Sequence, residues 1–188
     1  TWAASSKGLF QGTGSRAVAA LAYHSGSGTL YGISGGSGTG NFWKSTDNGA
    51  TWTSQHSSTG IPVEATGTVY PRAVGRLIAV NPANVNTLYL GTNGAGVKKS
   101  TDGGTSWTQL MLSGAVIRGV VLDSGFIYAA AEGGGVYRCT TSGGAVTQFT
   151  GTNNPGNPEE VFVLANTLYV AANTAGVRRL DNASTAAA

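Results

Sequence analysis

Two eight-residue strings constrain this chain more than anything else in it: Ser45-Thr46-Asp47-Asn48-Gly49-Ala50-Thr51-Trp52 and Ser100-Thr101-Asp102-Gly103-Gly104-Thr105-Ser106-Trp107. Both fit the pattern S-x-D-x-G-x-[TS]-W. The short carboxylates of Asp47 and Asp102 suit acceptance of hydrogen bonds from backbone N–H groups a few residues on, as in an Asx-turn. Gly49 and Gly104 supply the positive φ that a tight reversal often needs. Ser45 and Ser100 suit a similar side-chain-to-backbone bond. Trp52 and Trp107 then start a new strand and bury a large ring against a sheet. Each string reads as a hairpin turn that fixes its own geometry, and its aspartate reads as structural.

The strings belong to a longer repeat. Thr29-Leu30-Tyr31, Thr87-Leu88-Tyr89, Phe126-Ile127-Tyr128 and Thr167-Leu168-Tyr169 are four versions of one short strand. Their tyrosines lie roughly 40 to 60 residues apart, a spacing that suits a four-stranded blade. Downstream comes a Gly-Val-basic strand: Gly96-Val97-Lys98-Lys99, Gly135-Val136-Tyr137-Arg138 and Gly176-Val177-Arg178-Arg179, with Phe42-Trp43-Lys44 in its place in the first unit. Apolar runs lie upstream, at Ala17 to Tyr23, Leu77 to Val80, Val116 to Leu122 and Val161 to Leu164. Short runs rich in Val, Ile, Tyr and Thr, punctuated by Gly, Asn and Ser, predict an all-β chain. No stretch holds a period of about 3.6 residues, so no helix is expected. The later units drift. Cys139 to Gly144 replaces the string in the third, with Val146 to Phe149 as its last strand, and the fourth ends in alanines before a last strand appears.

These strings and their flanks resemble the Asp-box, or BNR repeat, of sialidases, xyloglucanase-type glycoside hydrolases, sortilin-like receptors and photosystem assembly factors. The blades are most like those of the xyloglucanase type. The resemblance implies a β-propeller-like fold of about four blades, each of four antiparallel strands, within one domain spanning residues 1–188. Blade units are expected at 16–56, 72–112, 116–151 and 158–188, the last completed by 1–6. In that family the box caps the turn between third and fourth strands, on the rim and away from the central ligand face. Ser45, Asp47, Gly49, Trp52, Ser100, Asp102, Gly104 and Trp107 are its members here. Thr1-Trp2 reads like the end of a box whose beginning is missing. The ends are therefore expected to be complementary. Thr1 to Ser6 either closes the ring within one chain or adds to the last blade of a neighbouring copy, giving a homo-oligomer or a filament. A third arrangement is that the chain is one piece of a larger propeller.

Composition narrows the function classes. The chain has 188 residues, 30 glycines and only 10% charged residues, enough for one substantial core with a turn-rich, weakly charged surface. The net charge of +3 comes from basic residues that recur mostly once per unit, at Lys44, Lys99, Arg138 and Arg179, rather than from one basic face. Nucleic acid is therefore not an expected partner. No apolar run is long enough to span a membrane. Cys139 is the single cysteine, so no intrachain disulfide forms, and it reads as a small buried filler. Asn182-Ala183-Ser184 is an N-glycosylation sequon. Composition and resemblance together predict an extracellular or cell-surface location.

A glycosidase needs two carboxyl groups roughly 5 to 10 Å apart across a cleft. Of the eight acidic residues, Asp47 and Asp102 belong to the boxes, Asp181 to the degenerate one, and Asp123 to a tight turn. Glu64, Glu132, Glu159 and Glu160 remain. Glu159 and Glu160 lie just before an innermost strand and are adjacent, so in a strand they point to opposite faces. The three-arginine cluster and Tyr/Glu pair of sialidases have no counterpart, nor do the paired aspartates of the xyloglucanases. With one cysteine and isolated His24 and His56, no metal site and no cofactor are expected. A ligand face would draw on Arg16, Arg72 and Arg118 beside the inner strands, on Glu64 and Tyr70 in the long linker, and on Glu159. The expected role is a non-catalytic binding or structural propeller for a glycan or protein ligand, with no catalytic residue. The competing readings are a fragment of a xyloglucanase-like glycoside hydrolase and a receptor-type propeller that binds a protein.

Overall fold

A computed structural model describes residues 17–35, 41–55, 76–150, 155–173 and 175–185. Every regular element among them is a strand, and no helix occurs there. The first sheet contains β1 (Ala17–His24), β2 (Thr29–Gly35), β3 (Asn41–Ser45) and β4 (Thr53–Ser54). The second contains β5 (Ile78–Asn81), β6 (Asn84–Gly91), β7 (Val97–Ser100) and β8 (Thr108–Met111). The third runs through β9 (Ile117–Asp123), β10 (Phe126–Ala131), β11 (Gly135–Thr140) and β12 (Thr147–Gln148). The fourth stops after β13 (Pro158–Leu164), β14 (Thr167–Ala172) and β15 (Gly176–Leu180). Each sheet is an antiparallel meander in chain order, the arrangement of a propeller blade.

One register recurs in all four sheets. The tyrosine of the short repeated strand lies opposite the basic residue of the next: Tyr31 with Lys44, Tyr89 with Lys99, Tyr128 with Arg138 and Tyr169 with Arg179. Side chains alternate between faces along a strand, so this pairing also fixes which residues meet the neighbouring sheet. The residue before each tyrosine points the other way. Tyr31, Tyr89 and Tyr128 are buried on the face toward the following sheet, while Leu88, Ile127 and Leu168 are buried on the face toward the preceding one. Burial pushes the Tyr31 hydroxyl up to about 12.

Three apolar layers result, one per junction. Tyr31, Ile33 and Phe42 pack on Ile78, Leu88 and Leu90. Tyr89 and Val97 pack on Ile117, Val120 and Ile127. Val121, Tyr128 and Phe149 pack on Val161, Leu168 and Val170. Cys139 lies buried in the second of these layers, and burial pushes its thiol up to about 11, away from thiolate reactivity. The residues proposed to complete the last blade, Thr1 to Ser6, lie outside the described residues.

Candidate functional site

The two Ser-Asp-Gly-Trp turns adopt the same geometry bond for bond. In the first, the Ser45 hydroxyl donates to Asp47 Oδ1 at 2.7 Å and accepts the Gly49 N–H at 2.8 Å. In the second, Ser100 makes the same bonds to Asp102 and Gly104 at 2.8 and 2.9 Å. Asp47 accepts the backbone N–H and hydroxyl of Thr51 at 2.9 and 2.6 Å; Asp102 does so with Ser106 at 2.9 and 2.5 Å. The indole N–H groups of Trp52 and Trp107 donate to the carbonyls of Gly49 and Gly104. Two successive positive-φ residues, Asn48 and Gly49 or Gly103 and Gly104, make the reversal that brings these groups together.

Such carboxylates are poor catalysts. The Thr51 hydroxyl, the Thr51 amide and Ser45 hold Asp47 down to about 2, and Ser106 above all does the same for Asp102. Asp181, in the degenerate turn of the fourth sheet, is also lowered, chiefly by the Arg179 guanidinium, which reaches Oδ1 at 2.7 Å. A general acid needs a carboxyl shifted the other way.

The other acidic candidates are dispersed. Glu132, in the β10–β11 turn, accepts from the Arg118 guanidinium at 2.6 Å. Arg118 therefore sits in β9 as half of an ion pair, with its side chain only 14% exposed. Glu159 and Glu160 do not precede the inner strand as the sequence reading has them; both lie inside β13. A register shift between Pro158 and Glu160 makes Glu159 the bulged residue, half-buried, with Glu160 exposed. The bulge was hidden because it follows from pairing with Ala171 and Ala172, not from any local turn signal. Asn182 is exposed at positive φ in the turn after β15. Arg16, Glu64, Tyr70 and Arg72 lie outside the described residues.

His24 is structural. Its Nε2 donates to the Pro82 carbonyl at 3.1 Å, tying β1 to the second sheet, which leaves Nδ1 to accept from the Ser27 hydroxyl at 2.9 Å. Among the described residues no group of three His, Cys, Asp or Glu side chains converges.

The concave feature that does form is a cleft of about 340 Å³ across the inner strands of the first three sheets. Ile78, Val80 and Leu122 are among its apolar walls, with Leu21, Tyr23 and Arg76 also lining it. Tyr23 is 56% exposed. Sequence reasoning selected Arg72 for this position and passed over Arg76, which stands immediately before the apolar run beginning at Leu77. Tyr23, at the end of the first apolar run, carried the same kind of signal.

No family model matches the chain. A xyloglucanase from Hypocrea jecorina (strain QM6a) is 41% identical over 68 residues, covering 36% of this chain and 8% of that protein. The crystal structure of a GH74 enzyme from Niastella koreensis matches 90% of this chain with a TM-score of 0.68 and 26% identity. The GH74 xyloglucanase of Xanthomonas campestris matches 89% with a TM-score of 0.73 and 19% identity. This chain spans 29% of the length of each of those two structures. The four stacked meanders are thus a β-propeller fold related to the propellers of xyloglucanases.

Proposed function

We propose that this chain is a non-catalytic Asp-box propeller unit, acting outside the cell or at its surface as a binding and scaffolding module for β-glucan chains. The observation that carries the reading is the employment of the carboxylates among the described residues, where Asp123 accepts from the Ser124 hydroxyl in its own turn. Asp47 and Asp102 are consumed by turn hydrogen bonds, Asp181 and Glu132 by arginines, and Glu159 and Glu160 are neighbours rather than a pair facing across a gap. The ligand class is taken from the xyloglucanase relatives, and the inner-strand cleft with exposed Tyr23 offers a surface on which a sugar ring can stack. The recurrence of the Ser-Asp-Gly-Trp hydrogen-bond set supports the Asp-box assignment.

The experiment is affinity electrophoresis in gels containing xyloglucan, alongside an assay for reducing sugar. Retarded migration without sugar release is the expected result, with retardation lost in Tyr23→Ala. The short stretch of strong identity to a xyloglucanase favours one other reading, a portion of a glycoside hydrolase. Sugar release that disappears on replacing Glu159 or Glu64, but not Asp47, establishes that reading instead.

A further inference from the structure

Three like junctions join the four sheets, and the stack ends in two unfilled half-junctions. At each junction a tyrosine from one sheet is buried in the same apolar layer as a Leu or Ile of the next: Tyr31 with Leu88, Tyr89 with Ile127, Tyr128 with Leu168. Donors from the leading sheet seal each layer by reaching a backbone carbonyl of the following sheet or the turn beyond it. Tyr31 Oη donates to Val85 at 2.8 Å, Lys99 Nζ to Thr141 at 2.8 Å, and the Arg138 guanidinium to Ala183.

The fourth sheet presents the same leading set to solvent. Tyr169 and Arg179 are paired on the face opposite Val161, Leu168 and Val170, together with Phe162, Leu164 and Val177. Tyr169 is only half-buried where its three counterparts are fully covered, and Phe162, Leu164 and Val177 are 44%, 60% and 74% exposed. The first sheet presents the receiving set. Leu30 is half-buried where Leu88, Ile127 and Leu168 are covered, and Val18 and Leu21, on the same face, are 40% and 57% exposed. Trp43 and Trp52 already close the β3–β4 side of that face, so its open part is the inner strand.

We propose that these two faces pack on each other between two copies of this chain, the fourth sheet of each seated on the first sheet of the other, closing a ring of eight blades. The mass measurement needs no ligand, so its failure is distinguishable from failure of the binding reading, although Tyr23, paired with Leu30, shares the face that the partner would approach. A second copy is the occupant because one chain carries both halves of the junction, and the halves match the three junctions already formed. Head-to-tail contacts either close or propagate. Propellers close at about four to eight blades, so two copies suffice and three exceed that range. Closure sets the partner's fourth sheet beside β1 and adds a wall to the inner-strand cleft.

Light scattering on the full chain tests this at micromolar concentration. The expected mass is twice the 18.9 kDa of one chain. Leu21→Glu breaks the receiving face and Phe162→Glu the leading face; both sites are exposed, and circular dichroism verifies that each variant keeps its sheet structure. Each variant alone is expected to run as a monomer, and an equimolar mixture to regain the dimer, because one of its two junctions is intact. A wild-type monomer overturns the proposal, as does a ladder of open oligomers, variants that stay dimeric, or a mixture that stays monomeric. Deletion of Thr1 to Ser6 separates the proposal from strand exchange: the dimer persists if the faces hold it, and its loss in that deletion alone overturns face packing.

Discussion

Ser100 is 1% exposed, and its hydroxyl organises a whole turn by donating to Asp102 and accepting from Gly104. Ser100→Ala leaves the Gly104 amide buried without its partner, so stability is expected to fall by about 1 to 3 kcal/mol in a urea titration. Gly104 is constrained twice, by φ of 95° and by Phe42, whose Cε1 would lie 2.3 Å from an added Cβ. Gly104→Ala is therefore expected to cost more than about 1 kcal/mol, by the same titration. The aspartates give the turns a pH signature. Both are depressed from 3.8 to about 2 on folding, so their contribution is fully present above pH 3.8 and lost as pH falls through about 2. Melting curves across that window should show a shallower acid loss in the double variant Asp47→Asn, Asp102→Asn than in the parent chain. An unchanged acid limb contradicts the assigned hydrogen bonds.

Each sheet repeats one register, and the repeat explains what could be read from sequence. The Thr-Leu-Tyr string recurs in four versions and the Gly-Val-basic string in three, with Phe42-Trp43-Lys44 in its place in the first unit, so these strands and their order were legible before any pairing was known. Contacts made once were not legible. His24 meets the Pro82 carbonyl 58 positions away, and Arg118 meets Glu132 around a turn. The bulge at Glu159 does recur, between Val18 and Ala20 in the first sheet and between Ile117 and Gly119 in the third, but it exists only relative to the paired strand and leaves no shared string in the sequence. Candidate ligand residues were harder still: Arg76 stands just before a repeated apolar run and carries no motif of its own. The repeat also predicts an asymmetry between equivalent residues. Leu88 is fully buried between two sheets, whereas Leu30 faces an unfilled half-junction. Leu88→Ala is expected to cost about 2 to 5 kcal/mol. Leu30→Ala should cost distinctly less in a monomeric background such as Phe162→Glu, measured by the same unfolding titration. Equal losses at the two sites contradict the open first face.

Over the whole molecule, stability depends on how many neighbours a sheet has. The second and third sheets are covered on both faces, whereas the first and fourth are covered on one. Local opening is easiest where few apolar contacts must be broken. The fourth sheet is the weakest by this argument, because it has three strands and Gly176 to Arg179 of β15 are all exposed. Native-state hydrogen exchange should therefore be slowest in β6 and β10 and fastest in β15. Self-association changes this ranking in one direction only. Filling the end junctions covers the outer faces of β1, β13 and β14, while the central sheets gain no new neighbour. Raising the protein concentration should slow exchange in β1, β13 and β14 and leave β6 and β10 nearly unchanged until global unfolding limits them. The melting temperature should rise with concentration for the same mass-action reason. In Leu21→Glu both dependences should vanish together. If exchange slows equally in every strand, or if melting ignores concentration while the end strands are protected, the two faces are not what holds the copies together.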